Sequence, residues 1–350
     1  MSAAAAVGRA PASGGRGHLR APRMDLRYAV VIPAYNRAGV IAGTLERVLG
    51  QTLPPAEVVV VDDGSTDGTS EVAARYAPRV CCFRRENGGP GAARNTGVAQ
   101  TSAPWIAFCD SDDLWLPEKM EVQLDLHRQR PEVLYSFTDL AIVRGGVWSG
   151  RSKFSERPED FWAPGRETLD GCYWIYHEPL YARILTASLI IPSAFVISRR
   201  LFEDLGGFYE PLSRSRAEDW EFALRCAEQP CAGAVARPLV GLHKHDANYS
   251  ASGLLNLLGE ITMLEHALAT HRSAPAHAGW IRERLLECRI LAAHESFRTG
   301  DFTELRRLGA DVPPGRRDLK LRLKLHIAAW PESAARAAAK LLVAISDKVQ

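Results

Sequence analysis

Between residues 28 and 109, solid aliphatic runs alternate with stretches whose apolar residues recur at helical spacing. The runs occupy 28–32, 58–61, 80–83 and 105–109, with Val58-Val59-Val60-Val61 the plainest. A strand that is apolar at every position is buried on both faces, which happens where helices cover a parallel sheet on both sides. The intervening segments fit that geometry. Val40, Ile41, Leu45, Val48 and Leu49 lie on one helical face, with Gly50 as a stop. A short helix is expected over 69–76 and another over about 92–99, after the glycine-rich loop 87–91. Pro33 closes the first strand. The order strand, helix, strand, helix predicts an α/β chain with a parallel sheet. In open sheets of this kind ligands sit beyond the carboxyl ends of the strands.

Three of the four strands deliver polar or charged groups at that end: Tyr35 and Asn36, then Asp62 and Asp63, then Asp110 and Asp112. The last group is the most informative. Trp105-Ile106-Ala107-Phe108-Cys109 empties into Asp110, Asp112 and Asp113, three carboxylates within four positions. They repel one another unless something neutralises them. A hard divalent cation bridging to a phosphate would do so; an Asp/Ser turn leading into the next helix is the alternative. In Asp62-Asp63-Gly64-Ser65 a carboxylate can accept hydrogen bonds from a nucleobase imide or a ribose hydroxyl, or it can form an Asx-turn. The loop Asn87-Gly88-Gly89-Pro90-Gly91-Ala92-Ala93-Arg94-Asn95 superficially resembles a dinucleotide fingerprint. Arg94, however, stands where the last glycine belongs, and the loop follows the third strand rather than the first. No Gly-Lys-Ser/Thr follows, so it is not a P-loop either. Its glycines let the backbone approach a ligand with Arg94 on phosphate or base; a structural turn with a solvated Arg is the other reading.

Further along, Glu218-Asp219-Trp220-Glu221 opens a helix expected over 218–227. Acidic residues suit a helix start; the functional reading makes Asp219 a general base and Trp220 a stacking platform for a sugar ring. His243-Lys244-His245 ends a strand expected over 235–242 and interrupted at Pro238. It offers a metal ligand and a phosphate clamp, or ordinary surface and core histidines. Residues 120–130 look helical, and 144–185 reads as loops, short helices and acceptor-side structure. A strand over 189–197 contains Pro192-Ser193, which points to a sheet edge or a bulge. From about 254 the chain is helical, with a hairpin character around 280–309 and a break at 312–315. The segments 316–324 and 334–349 are basic and partly amphipathic, fit either to lie on an anionic membrane or to form a solvated cationic face.

Bulk properties set the outer limits. A net charge of +2 gives no reason to expect nucleic acid as a partner, and no apolar run reaches the ~18 residues of a spanning helix. Seven cysteines, an odd number without metal-like spacing, read as free thiols of a reducing compartment. Residues 1–23, rich in Ala, Gly, Arg and Pro, read as a disordered extension or as a start placed ahead of Met24, with a transit peptide as the alternative.

Taken in order, Val30-Val31-Ile32-Pro33-Ala34-Tyr35-Asn36-Arg37, Val60-Val61-Asp62-Asp63-Gly64-Ser65, the segment 87–97 and Phe108-Cys109-Asp110-Ser111-Asp112-Asp113 resemble the family 2 glycosyltransferases of the GT-A fold. Pro192-Ser193, Gly206-Gly207-Phe208, Glu218-Asp219-Trp220 and His245 with Asn248 and Ser250 extend the likeness, which covers roughly 28–251. The resemblance implies a three-layer α/β/α sandwich around a mostly parallel sheet, with a helical C-terminal appendage. It divides the chain into 1–23, a nucleotide-sugar half (24–130), an acceptor and catalytic-base half (131–252) and a helical region (253–350). It implies an inverting enzyme that moves a sugar from a nucleotide-sugar donor, UDP-linked by family habit, to a hydroxyl of a glycan, glycolipid or protein acceptor in cell-surface polysaccharide or glycolipid synthesis. Mn²⁺ or Mg²⁺ would be the cofactor. Carried over, Pro33, Tyr35, Asp63, Arg94 and Asp110 bind the nucleotide, Asp110, Asp112 and His245 hold the metal, Asp219 is the base with Glu218 beside it, and Trp220 faces the acceptor. The Gln-x-x-Arg-Trp element of processive members is absent, which favours transfer of a single sugar. The expected location is cytoplasmic or peripheral at the inner face of the membrane. The competing readings are a metal-dependent nucleotidyltransferase acting on sugar phosphates and a non-catalytic sugar-nucleotide-binding protein.

Overall fold

The computed structural model describes residues 24–243 and 253–346, so the extension 1–23, Lys244, His245, Asn248 and Ser250 lie outside the described residues. The opening run forms as expected: β1 (Tyr28–Ala34), α1 (Ile41–Leu49), β2 (Glu57–Asp62), α2 (Thr69–Ala74), β3 (Cys81–Arg84), α3 (Pro90–Ala99) and β4 (Trp105–Phe108). These four strands are mutually parallel, in the order β3-β2-β1-β4. Alternation along β1 and β2 explains why every position is apolar. Val30, Ile32, Val58 and Val60 face α1 through Ile41, Leu45 and Val48, while Val31 packs with Val98 of α3, and Val59 and Val61 pack with its Ala93. Each such side chain removed from water contributes about 1.5–3 kcal/mol.

The sheet does not stop at β4. After β5 (Leu114–Trp115) and α4 (Lys119–Gln129) comes β6 (Tyr135–Arg144), a long interior strand with no counterpart among the sequence expectations. The segment read as loops and short helices also contains strands: β7 (Val147–Ser152), α5 (Glu159–Trp162), β8 (Arg166–Leu169), β9 (Tyr173–Tyr176) and α6 (Tyr181–Thr186). Next come β10 (Phe195–Ser198), α7 (Arg199–Asp204), α8 (Glu218–Ala227) and β11 (Ala232–His243). The full order is β3-β2-β1-β4-β10-β6-β11-β9-β8, with β5 on β11 and β7 on β6. The strands of 24–130 and 131–243 therefore share one sheet, a parallel block continued by a mixed one. The strand expected over 189–197, with a sheet edge or a bulge at Pro192, forms only over Phe195–Ser198 and not at an edge. Pro192 lies in a single 3₁₀ turn (Pro192–Ala194), and the strand after it is interior, hydrogen-bonded to β4 and β6. Pro238 does interrupt its strand, as a bulge in the β11–β6 pairing. All seven cysteines are free.

The C-terminal region is helical as expected: α9 (Gly253–Thr270), α10 (Ala274–Thr299), α11 (Phe302–Ala310), α12 (Leu319–Ala328) and α13 (Glu332–Ser346). It shares the larger core with α8 and the second half of the sheet. Gly259 of α9 shows how closely it docks, since a Cβ there would fall 1.7 Å from the carbonyl oxygen of Ser215, the approach α9 makes just ahead of α8.

Candidate active site

The carboxyl ends of the parallel strands gather most of the residues singled out above. Asp62 forms the turn after β2, its Oδ1 accepting the Ser65 N–H at 2.7 Å, so the turn reading holds for this carboxylate. Asp63 faces the other way. Its oxygens accept the N–H groups of Gly88 (3.0 Å) and Gly89 (2.7 Å), and Arg85 Nε stands 3.3 Å from Oδ1. Burial raises its carboxyl above the usual range, against the pull of those two N–H groups. Asp63 thereby pins the glycine-rich loop. Gly89 needs to be glycine for two reasons: φ is +89°, and a Cβ would sit 2.5 Å from the Ser213 carbonyl oxygen. Ser213 Oγ accepts the Ala92 N–H at 2.6 Å, fixing the start of α3.

Pinned in this way, α3 carries Arg94 inward. The guanidinium is buried and donates to two carboxylates, Asp110 Oδ1 through Nη2 at 2.7 Å and Glu218 Oε1 through Nη1 at 3.0 Å, with the Phe208 ring 5.2 Å from its centre. The solvated-Arg reading is therefore excluded. One side chain ties the end of β4 to the first turn of α8. Burial, and then the adjacent charge of Asp219, push the Glu218 carboxyl up to about 8, with Arg94 opposing. Asp219 is also raised, again by burial first, with Arg94 opposing; its Oδ1 accepts its neighbour Trp220's N–H at 2.8 Å. Trp220 is half-buried against the core, and its indole N–H donates to the Ile184 carbonyl of α6 at 2.7 Å, joining the 144–185 region to the residue beside Asp219.

The three acidic residues after β4 separate by role. Asp113 is buried and bonded to Ser193 Oγ at 2.5 Å and, more loosely, to the His243 N–H at 3.4 Å; burial and then Asp110 raise its carboxyl well above the usual range. Ser193 Oγ also accepts the Asp110 N–H at 2.9 Å, and Trp115 Nε1 donates to the Ser193 carbonyl. Asp113 and Ser193 thus build the turn, and Asp110 and Asp112 remain part-exposed at the strand end, their side chains 31% and 18% accessible. Arg37 Nε lies 3.9 Å from Asp112 Oδ2. The Asp110/Asp112 donor set is all carboxylate oxygen, which suits a hard divalent ion such as Mg²⁺ or Mn²⁺. Pro33 is buried within β1, and Tyr35 just beyond it is 48% exposed at the mouth. His245 lies outside the described residues.

The family model described as glycosyl transferase family 2 matches residues 29–206. The chain belongs to that family. A putative teichuronic acid biosynthesis glycosyltransferase, TuaG of Bacillus subtilis, is 33% identical over 150 residues, which cover 41% of this chain and 59% of that protein. An uncharacterized glycosyltransferase of Rickettsia conorii is 42% identical over 138 residues, 36% of this chain and 23% of its own length. Matches to the first curated relatives thus span from 15% to 59% of their lengths. Among solved structures, S. aureus TarS 1–349 in complex with UDP-GlcNAc superposes with a TM-score of 0.56 at 21% identity, covering 90% of each chain. That likeness is one of fold, and the fold is of the GT-A type.

Proposed function

We propose that the chain moves a sugar from a UDP-linked donor to a hydroxyl of a cell-surface glycan or glycolipid, with inversion at the anomeric carbon. The observation that carries this reading is the Arg94 bridge. It sets the strand-end carboxylate Asp110 and the helix bearing Asp219 at one locus, with Asp63 reached through the loop that positions α3. The UDP-GlcNAc held by TarS, and the polysaccharide assignments printed for TuaG and for a succinoglycan biosynthesis protein, ExoW of Rhizobium meliloti (39% identical over 101 residues), support the choice of donor and acceptor class.

In this reading Tyr35, Pro33 and Asp63 line the base and ribose pocket. Asp110 and Asp112 would hold Mn²⁺ or Mg²⁺, which when bound would supply charge neutralisation to the departing diphosphate. Asp219 takes the proton from the acceptor hydroxyl as that oxygen attacks from the face opposite the leaving group. Glu218 acts through Arg94, setting its position, and touches no reactant. Trp220, fixed by its bond to Ile184, offers its ring to the acceptor. Calorimetry with UDP tests the donor half. Wild type should bind more tightly with Mn²⁺ than without. Asp112→Asn should lose that gain, and by more than the ~10–100-fold that follows loss of an outer-shell metal partner. Equal affinities with and without Mn²⁺ in wild type would overturn the assignment.

No helix among the described residues is long and apolar enough to cross a membrane. Leu319 and Leu323 of α12 and Leu341 of α13 are nevertheless exposed, on a segment that also carries Lys320 and Arg322. These residues support peripheral binding to an anionic bilayer. The full chain should float with vesicles containing phosphatidylserine and not with phosphatidylcholine alone, and Leu319→Glu with Leu323→Glu should leave it in the pellet. Flotation unaffected by the double substitution would refute the placement.

A further inference from the structure

Helix α8 carries a second group of interest two residues beyond Asp219. At about 100° per residue, Glu221 projects from nearly the opposite side of the helix. It is fully buried, and it meets His266 of α9 and His271 just past the end of α9. Glu221 Oε1 lies 3.3 Å from His271 Nε2 and 3.6 Å from His266 Nε2, and the three potential ligand atoms all fall within 4.8 Å of one another. A tetrahedral ion with bonds of ~2.0–2.1 Å holds its donors about 3.3–3.4 Å apart. Two of the three edges already have nearly that length.

The surroundings hold these rings in place. His271 Nδ1 is 3.1 Å from Tyr181 Oη, the outer hydrogen bond that fixes an imidazole so that Nε2 faces a metal. The His266 ring stacks on Tyr209, with centroids 4.0 Å apart at 13°. Arg225 grips Glu221 through Nε–Oε1 (2.6 Å) and Nη2–Oε2 (2.7 Å). A carboxylate offers about four lone-pair positions, and this fork takes one on each oxygen, leaving Oε1 a second toward the imidazoles. The cluster opens onto a cavity of about 590 Å³ between the 205–210 loop and α9.

We propose that Glu221, His266 and His271 form a three-ligand site for a divalent ion of the Zn²⁺ class, its fourth position open to the cavity, fastening α9 to the helix that carries Asp219. Two nitrogens and one oxygen favour Zn²⁺ or Co²⁺, whereas the all-oxygen strand-end pair favours Mg²⁺ or Mn²⁺. The site stands independently of the donor and acceptor reading above. Crystals of the wild-type chain soaked in Zn²⁺ should show anomalous density between the three side chains. In solution the wild type should take up Co²⁺ with the visible absorption of a four-coordinate nitrogen–oxygen site. That absorption should persist in Asp110→Asn with Asp112→Asn and vanish in His266→Ala. Anomalous density confined to Asp110 and Asp112, or a Co²⁺ spectrum unchanged by His266→Ala, would overturn the proposal; the wild-type crystal decides the matter even if the histidine variant fails to fold.

Discussion

Asp219→Asn is expected to bind UDP with wild-type affinity and to lose sugar transfer by about 10²–10⁴-fold, the contribution of a positioned general base. The amide retains an oxygen to accept the Trp220 N–H, so the first turn of α8 should keep its shape and the loss should fall on kcat. The pH profile carries a second signature. Burial raises the Asp219 carboxyl above its ordinary value of 3.8, and a base works only when deprotonated. Activity should therefore rise with pH through a limb lying above the usual aspartate range and fall as pH drops through it. Glu218→Gln separates the two neighbours. Because Glu218 contacts Arg94, its replacement should lower the rate without removing that acid limb. Near-wild-type transfer by Asp219→Asn in a steady-state assay of UDP release would exclude it as the base.

How far such a site can be read from sequence depends on what each segment buries. β1, β2 and β4 were legible because both faces of each are covered, leaving a continuous apolar signature; β3, largely exposed at the sheet edge, was legible from its place in the alternation. β6 was not, although it is as deeply interior. Ser136, Thr138 and Asp139 are buried there, with their polarity satisfied internally: Ser136 Oγ by Gln123 and His127, Thr138 by the Arg237 carbonyl, and Asp139 by the N–H groups of Leu140 and Phe154. Apart from the adjacent Leu140, these partners lie from 9 to 99 residues away and leave no local pattern. The same limit applies at the site. A strand ending in Asp110 and Asp112 announces itself, and Glu218-Asp219 at a helix start is visible as a motif. That Arg94 spans 16 residues to Asp110 and 124 to Glu218 is a fact of topology alone. Glu221, His266 and His271 belong with Arg94 in this respect: no spacing in the chain brings them together, and only the docking of α9 on α8 does.

Arg94→Met should be the most destabilising single change at the site, and its cost should depend on pH. Methionine fills much of the aliphatic stem, but the guanidinium over the Phe208 ring is lost and Glu218 loses its only cation among the described ion pairs. Stripping one partner from a buried pair costs about 3–5 kcal/mol when the survivor stays charged. Glu218 can avoid part of that cost by holding a proton, since burial already lifts it to about 8 from an ordinary 4.5. Between those values the folded chain binds more protons at this site than the unfolded chain does, so this group's contribution to stability falls as pH rises. Removing Arg94 raises the folded value further and extends the fall to higher pH. Urea denaturation should therefore show a modest loss for Arg94→Met at pH 6 and a larger one at pH 9. Adding Glu218→Gln should recover most of the pH 9 loss, because the buried uncompensated charge is then gone, while Asp110, which also loses Arg94, is part-exposed and can be hydrated. Arg94→Lys should fall in between: one ammonium cannot reproduce a planar fork reaching Asp110 and Glu218 at once. A loss of the same size at both pH values, unrelieved by Glu218→Gln, would mean that Arg94 stabilises the fold through packing alone, and the electrostatic bridge between β4 and α8 would have to be abandoned.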